Sequence, residues 1–87
     1  MKTDAMIKIY HLADNLIVEK DRETRINLIN RLNKMIKKNL RTLFENSKEI
    51  IDIEILHERI TEDNYAYMIP QIMNIVSRYF NKISIAC

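Results

Sequence analysis

The 87-residue chain contains no glycine and a single proline, Pro70. Primed hairpin turns and left-handed helix caps rely on residues that tolerate positive φ, and only asparagine and aspartate are present to supply that conformation. A sheet-rich fold is therefore disfavoured. Cysteine is nearly absent. Cys87 stands alone, so no intramolecular disulfide can staple the fold, which suits a reducing cytosol, although Cys87 leaves oxidative pairing of two chains open. Long apolar runs are also missing. Lys2, Asp4, Lys8, His11 and Asp14 interrupt the N-terminal stretch before it reaches signal-peptide length. The longest uncharged stretch, Asn64 to Ser77, carries Pro70, Gln71 and Asn74 and falls short of a bilayer span. The expectation is a cytoplasmic protein with no transmembrane helix. No phosphate-cradling loop, thiol metal cluster or nucleophile signature occurs, and no cofactor is implied.

What is present fits one folded unit. Hydrophobic residues make up 47% of the chain and charged residues 30%, with a net charge of +2, the balance of a globular protein rather than a disordered tail. A chain of this length supports a single domain, 1–87, and is too short for two. The abundance of isoleucine, asparagine and lysine points to an AT-rich genome such as that of many phages, mobile elements or low-GC bacteria.

Hydrophobic periodicity predicts helices. From Asp4 to Lys20, the residues Met6, Ile9, Tyr10, Ala13, Leu16 and Ile17 share one side. Asp21 is placed to cap a second helix running from Arg22 to about Glu45, closed by Asn46 and Ser47, since an aspartate accepts from the exposed N–H groups of a first turn. In it Ile26, Leu28, Ile29, Leu32, Met35, Ile36, Leu40, Leu43 and Phe44 fill about half the circumference. The segment Lys48 to Ile60 is ambiguous. Ile51-Asp52-Ile53-Glu54-Ile55 alternates with strand period, whereas Ile50, Leu56 and Ile60 break the alternation. The last segment starts near Thr61 and keeps Tyr65, Met68, Ile69, Ile72, Ile75, Val76, Tyr79, Phe80 and Ile83 in one phase across Pro70, as a single bent helix would. The tail from Ile83 to Cys87 either frays or extends that helix.

The second helix carries an unusual outer face. Between Asn30 and Leu43 its charged residues are Arg31, Lys34, Lys37, Lys38 and Arg41, with no acid among them. They occupy about 120° of arc opposite the apolar side. Like charges at this spacing repel by ~0.2–0.5 kcal/mol per i,i+4 pair, so the stripe mildly opposes folding unless an anion or acidic neighbour offsets it. Three readings compete: a solvated face, neutralisation by the acidic segment 48–62, and a binding surface for an anionic partner. Segment 48–62 carries Glu49, Asp52, Glu54, Glu58 and Glu62 against Lys48 and Arg59. Nucleic acid is one candidate partner, because a row of cations can follow phosphates and release counterions. The row lacks interleaved aromatics for base stacking, so such binding would be independent of sequence.

Within the apolar face, Ile29, Asn33, Ile36 and Leu40 follow a/d spacing, with Asn33 where another aliphatic residue is expected. One reading is an oligomer interface through these four residues; the other is an asparagine at the core boundary, bonded to water or a neighbouring helix. Tyr67 leaves the apolar phase beside Pro70 and is a candidate partner contact. Glu54-Ile55-Leu56-His57 has the Glu-x-x-His spacing of helical di-iron sites, but such sites need two copies plus further glutamates, and the chain has one. His11 with Asp14 reads as a surface polar contact. No catalytic or metal site is assigned.

The expected architecture is all-α: a three- or four-helix bundle with a long central amphipathic helix, its second and fourth helices forming the main antiparallel pair, packed in a homo-oligomer. The alternative is α+β with a strand near 50–56. The expected function is that of a small cytosolic, non-enzymatic interaction or regulatory protein with a protein partner. The alternative is a nucleic-acid binder using the basic face.

Overall fold

The structure, a computed structural model, describes residues 2–86, so Cys87 and any pairing through it lie outside the described residues. Five helices follow one another: α1 (Lys2–Val18), α2 (Arg22–Lys38), α3 (Leu40–Glu45), α4 (Ile50–His57) and α5 (Tyr65–Ala86). There is no strand among the described residues, and none of them has positive φ. The described residues form an all-helical fold, in keeping with the lack of glycine.

Several expectations change. The rod foreseen over 22–45 is broken at Asn39, which separates α2 from α3 and raises the helix count to five. Asn39 has φ −118° and ψ 21°, and its backbone N–H is shared between the carbonyls of Met35 and Ile36. Its side-chain amide donates to the Met35 carbonyl at 2.8 Å. An asparagine that turns its amide onto the preceding turn competes with the helical ladder, and here it interrupts it. The main pairing also differs from expectation: α2 packs chiefly on α1, and α1 also packs on α5. The short connection 19–21 favours a helical hairpin, and α1 takes the place beside α2 that was expected for the last helix.

The ambiguous segment folds as α4, and the strand near 50–56 is overturned. Ile55 and Leu56 are buried while Ile50 and Ile53 are exposed, which is a helical phase rather than an alternating one. Asp52 sets its start by accepting from the backbone N–H groups of Lys48 and Glu49 at 2.9 and 3.2 Å. Arg78 of α5 donates to the same Asp52 carboxylate and, through Nε, to the Asn46 carbonyl at 2.9 Å. One guanidinium thus joins the end of α3, the start of α4 and the middle of α5.

Asp21 caps α2 as expected, its Oδ2 accepting from Thr24 N at 2.9 Å and from the Thr24 hydroxyl at 2.8 Å. Those bonds to the ionised form hold the Asp21 carboxyl below its ordinary range. The α5 helix runs unbroken through Pro70, which is exposed and leaves its inner face intact, and it extends through the tail to Ala86. Before it, the Thr61 hydroxyl accepts from Asp63 N and Asn64 N, while the Asn64 side chain accepts from Thr61 N. The core gathers Met6, Ile9 and Leu16 of α1, Leu32 of α2, Leu43 of α3 and Met68, Ile69, Ile72, Ile75 and Val76 of α5. Tyr10, Ile17 and Ile26, expected in the apolar phase, are exposed instead, and Leu12 takes an inward place.

Candidate functional site

Arg31, Lys34, Lys37, Lys38 and Arg41 are all exposed. The acidic segment does reach α2, but at its other end. Glu62 takes Arg25 in a two-bond pair, Nε to Oε2 at 3.0 Å and Nη2 to Oε1 at 3.3 Å, with Arg22 3.6 Å from the same carboxylate. The Arg25 guanidinium holds the Glu62 carboxyl below its ordinary range, and Glu62 in return raises Arg25. Among the described residues the remaining ion pairs are Arg41–Glu45 and Arg78–Asp52. Among the described residues, Arg31, Lys34, Lys37 and Lys38 have no carboxylate within ion-pair distance, so neutralisation by 48–62 stops short of them.

The break at Asn39 separates Arg41 from this row, and Arg41 instead pairs with Glu45 at 3.6 Å on the exposed side of α3. A lysine from another helix joins the row. Lys8 of α1 faces Arg31, Lys34, Lys37 and Lys38 across a groove of about 530 Å³ whose remaining lining is Leu12 and Met35. The hairpin of α1 and α2 creates this groove: Leu12 and Met35 form its apolar floor and the cations its walls, their aliphatic stems adding to the apolar lining. Lys34 and Lys37 also border a second depression of about 340 Å³ with Asn30, Asn33 and Arg59, which carries the cationic surface round to the α4–α5 connection. Periodicity along one helix could not reveal Lys8 or Arg59. The short α1–α2 connection was the one signal that would have put Lys8 beside α2.

The four residues expected at an oligomer interface all take part in packing or hydrogen bonding within the protomer. Ile29 and Ile36 are buried in the core, and Leu40 packs half-buried against it. Asn33 donates through Nδ2 to the Ile60 carbonyl at 3.0 Å and accepts from Ile60 N through Oδ1 at 3.0 Å. Its place in the apolar face is explained by a backbone strap within the chain.

Tyr67 is 55% exposed and is not among the residues lining the basic groove. His57 places Nδ1 2.8 Å from the Ile53 carbonyl, and its ring lies against Phe44 at 5.4 Å between centroids. His11 lines a separate shallow groove with Ile7, Tyr10 and Phe80, while Asp14 is exposed. No group of three metal-ligating side chains occurs among the described residues, and no helix is long and apolar enough to cross a membrane. The distinctive chemistry is therefore a five-cation groove with an apolar floor. Comparison with protein-family models, curated proteins and solved structures finds no match to this chain, so a functional reading rests on the residues that line the groove.

Proposed function

We propose that this chain is a non-enzymatic interaction protein that holds an anionic region of a protein partner against the groove between α1 and α2. One observation carries the reading. Five cations, Lys8, Arg31, Lys34, Lys37 and Lys38, converge on one groove without a carboxylate partner among the described residues, in a chain whose net charge is only +2. Cations so gathered repel one another, and a bound anion relieves that repulsion. The apolar floor supports a protein partner over nucleic acid. A phosphate backbone gains nothing from Leu12 or Met35, and the groove has no aromatic lining on which bases would stack.

Anisotropy titrations of labelled polyglutamate and of duplex DNA at two salt concentrations test this. The wild-type chain should bind polyglutamate at low salt and lose most of that binding at high salt. The double variant Lys34→Glu/Lys38→Glu should abolish it. Binding of duplex DNA in clear preference to polyglutamate at both salts would favour nucleic acid as the ligand. Binding that the double variant leaves unchanged would remove the groove from the account.

A further inference from the structure

We infer that the occupant of the groove is an amphipathic helix of a partner protein, with an apolar strip flanked by carboxylates; this rests on the anionic-partner reading above. Charge complementarity and the layout of the walls carry it. Arg31, Lys34 and Lys38 stand at i, i+3 and i+7, a row of about 10 Å along α2, roughly two helical turns. Lys8 stands on the opposite wall, and Met35 and Leu12 lie on the floor with them. A ligand carrying charge alone would meet the walls and leave the floor wet. A purely apolar ligand would leave the cations unpaired and partly desolvated, which costs more than it gains. An element with aliphatic side chains along one line and glutamates or aspartates on both flanks satisfies walls and floor together. A helix presents that pattern at i, i+3, i+4 and i+7.

The experiment uses the full chain and three labelled peptides. The first is helical, with a leucine stripe flanked by glutamates. The second has the same composition in scrambled order, and the third keeps the glutamates but replaces the leucines with glutamine. Polyglutamate and duplex DNA are included as further probes. The striped peptide should bind about tenfold more tightly than either altered peptide or polyglutamate, and Lys34→Glu/Lys38→Glu should weaken it at least tenfold. Met35→Gln should weaken the striped peptide several-fold while leaving polyglutamate unchanged, with circular dichroism confirming that the variant stays folded. The leucine-to-glutamine peptide gives the same comparison with the protein unaltered, so a poorly folded Met35 variant does not blunt the test. Equal binding of striped and scrambled peptides overturns the inference but leaves the anionic-partner reading standing. Tighter binding of duplex DNA than of the striped peptide overturns it as well. Failure of every anionic probe to bind at low salt overturns both.

Discussion

Asn33 grips the backbone of Ile60 with both ends of its carboxamide, donating to the carbonyl and accepting from the N–H at 3.0 Å each. Ile60 itself is almost wholly buried, so its backbone N–H and carbonyl lose their partner if the amide is removed. Asn33→Ala should therefore cost about 1–3 kcal/mol, from stranding a buried donor and acceptor. Urea unfolding checks this as a lower midpoint with unchanged slope. Glu62 makes the second tie between α2 and the α4–α5 connection, through Arg25. Because Arg25 lowers its pKa in the folded state, Glu62 contributes stability that is complete above the ordinary glutamate range. That stability is lost as pH falls through the depressed folded value. Glu62→Gln should lower the melting temperature near neutral pH, and the gap from wild type should close on acidification. A gap that persists at acid pH would show that the ion pair is not its source.

The helices themselves divide into those that local pattern specifies and those that tertiary contacts specify. Asp21 caps α2, and α5 keeps one apolar phase across Pro70; both could be read from residue spacing, since capping and periodicity are local properties. The α2–α3 break could not. Unlike the exposed Asn27 and Asn30, Asn39 is half-buried and turns its amide back onto the Met35 carbonyl, a conformation that composition does not encode. The phase of α4 was equally hidden: Ile50, Ile51, Ile53 and Ile55 supply apolar surface on every side, and packing selects which of them is buried. Among the site residues, the exposed basic row of α2 was legible, but its fifth member, Lys8, depends on which helix lies alongside. Arg78 and Asp52 were hidden for the same reason, because their pairing spans α4 and α5. Asp52 is only 3% exposed, so Asp52→Ala should cost about 3 kcal/mol by uncoupling the guanidinium and two backbone N–H groups. In a double-mutant cycle with Arg78→Ala, the combined loss should fall well short of the sum. Strict additivity would mean that the pair does not couple these helices.

Across the whole molecule, the polar ties between helices and the cations proposed to bind are separate sets of side chains, although the groove's Leu12 belongs to the core and Met35 packs against it. The core draws on all five helices, and Asn33, Glu62 and Arg78 tie α2 to the α4–α5 connection and α3 and α4 to α5, while the cations of the α1–α2 groove make no ion pair among the described residues. Lys34→Glu should therefore leave stability unchanged or raise it by about 0.5 kcal/mol, since it removes repulsion and sets a carboxylate four residues before Lys38. The same change should weaken polyglutamate binding. Thermal melts and anisotropy on one variant check both halves, and a marked loss of stability would show that the row is structural. Finally, the backbone has no residue at positive φ among those described, so its turns at 19–21, 46–49 and 58–64 make no demand that only glycine could meet. A methyl group fits at each of these joints without twisting the main chain. Alanine scanning of 2–86 would accordingly report what each side chain does, with Pro70 the one position where the backbone itself is altered.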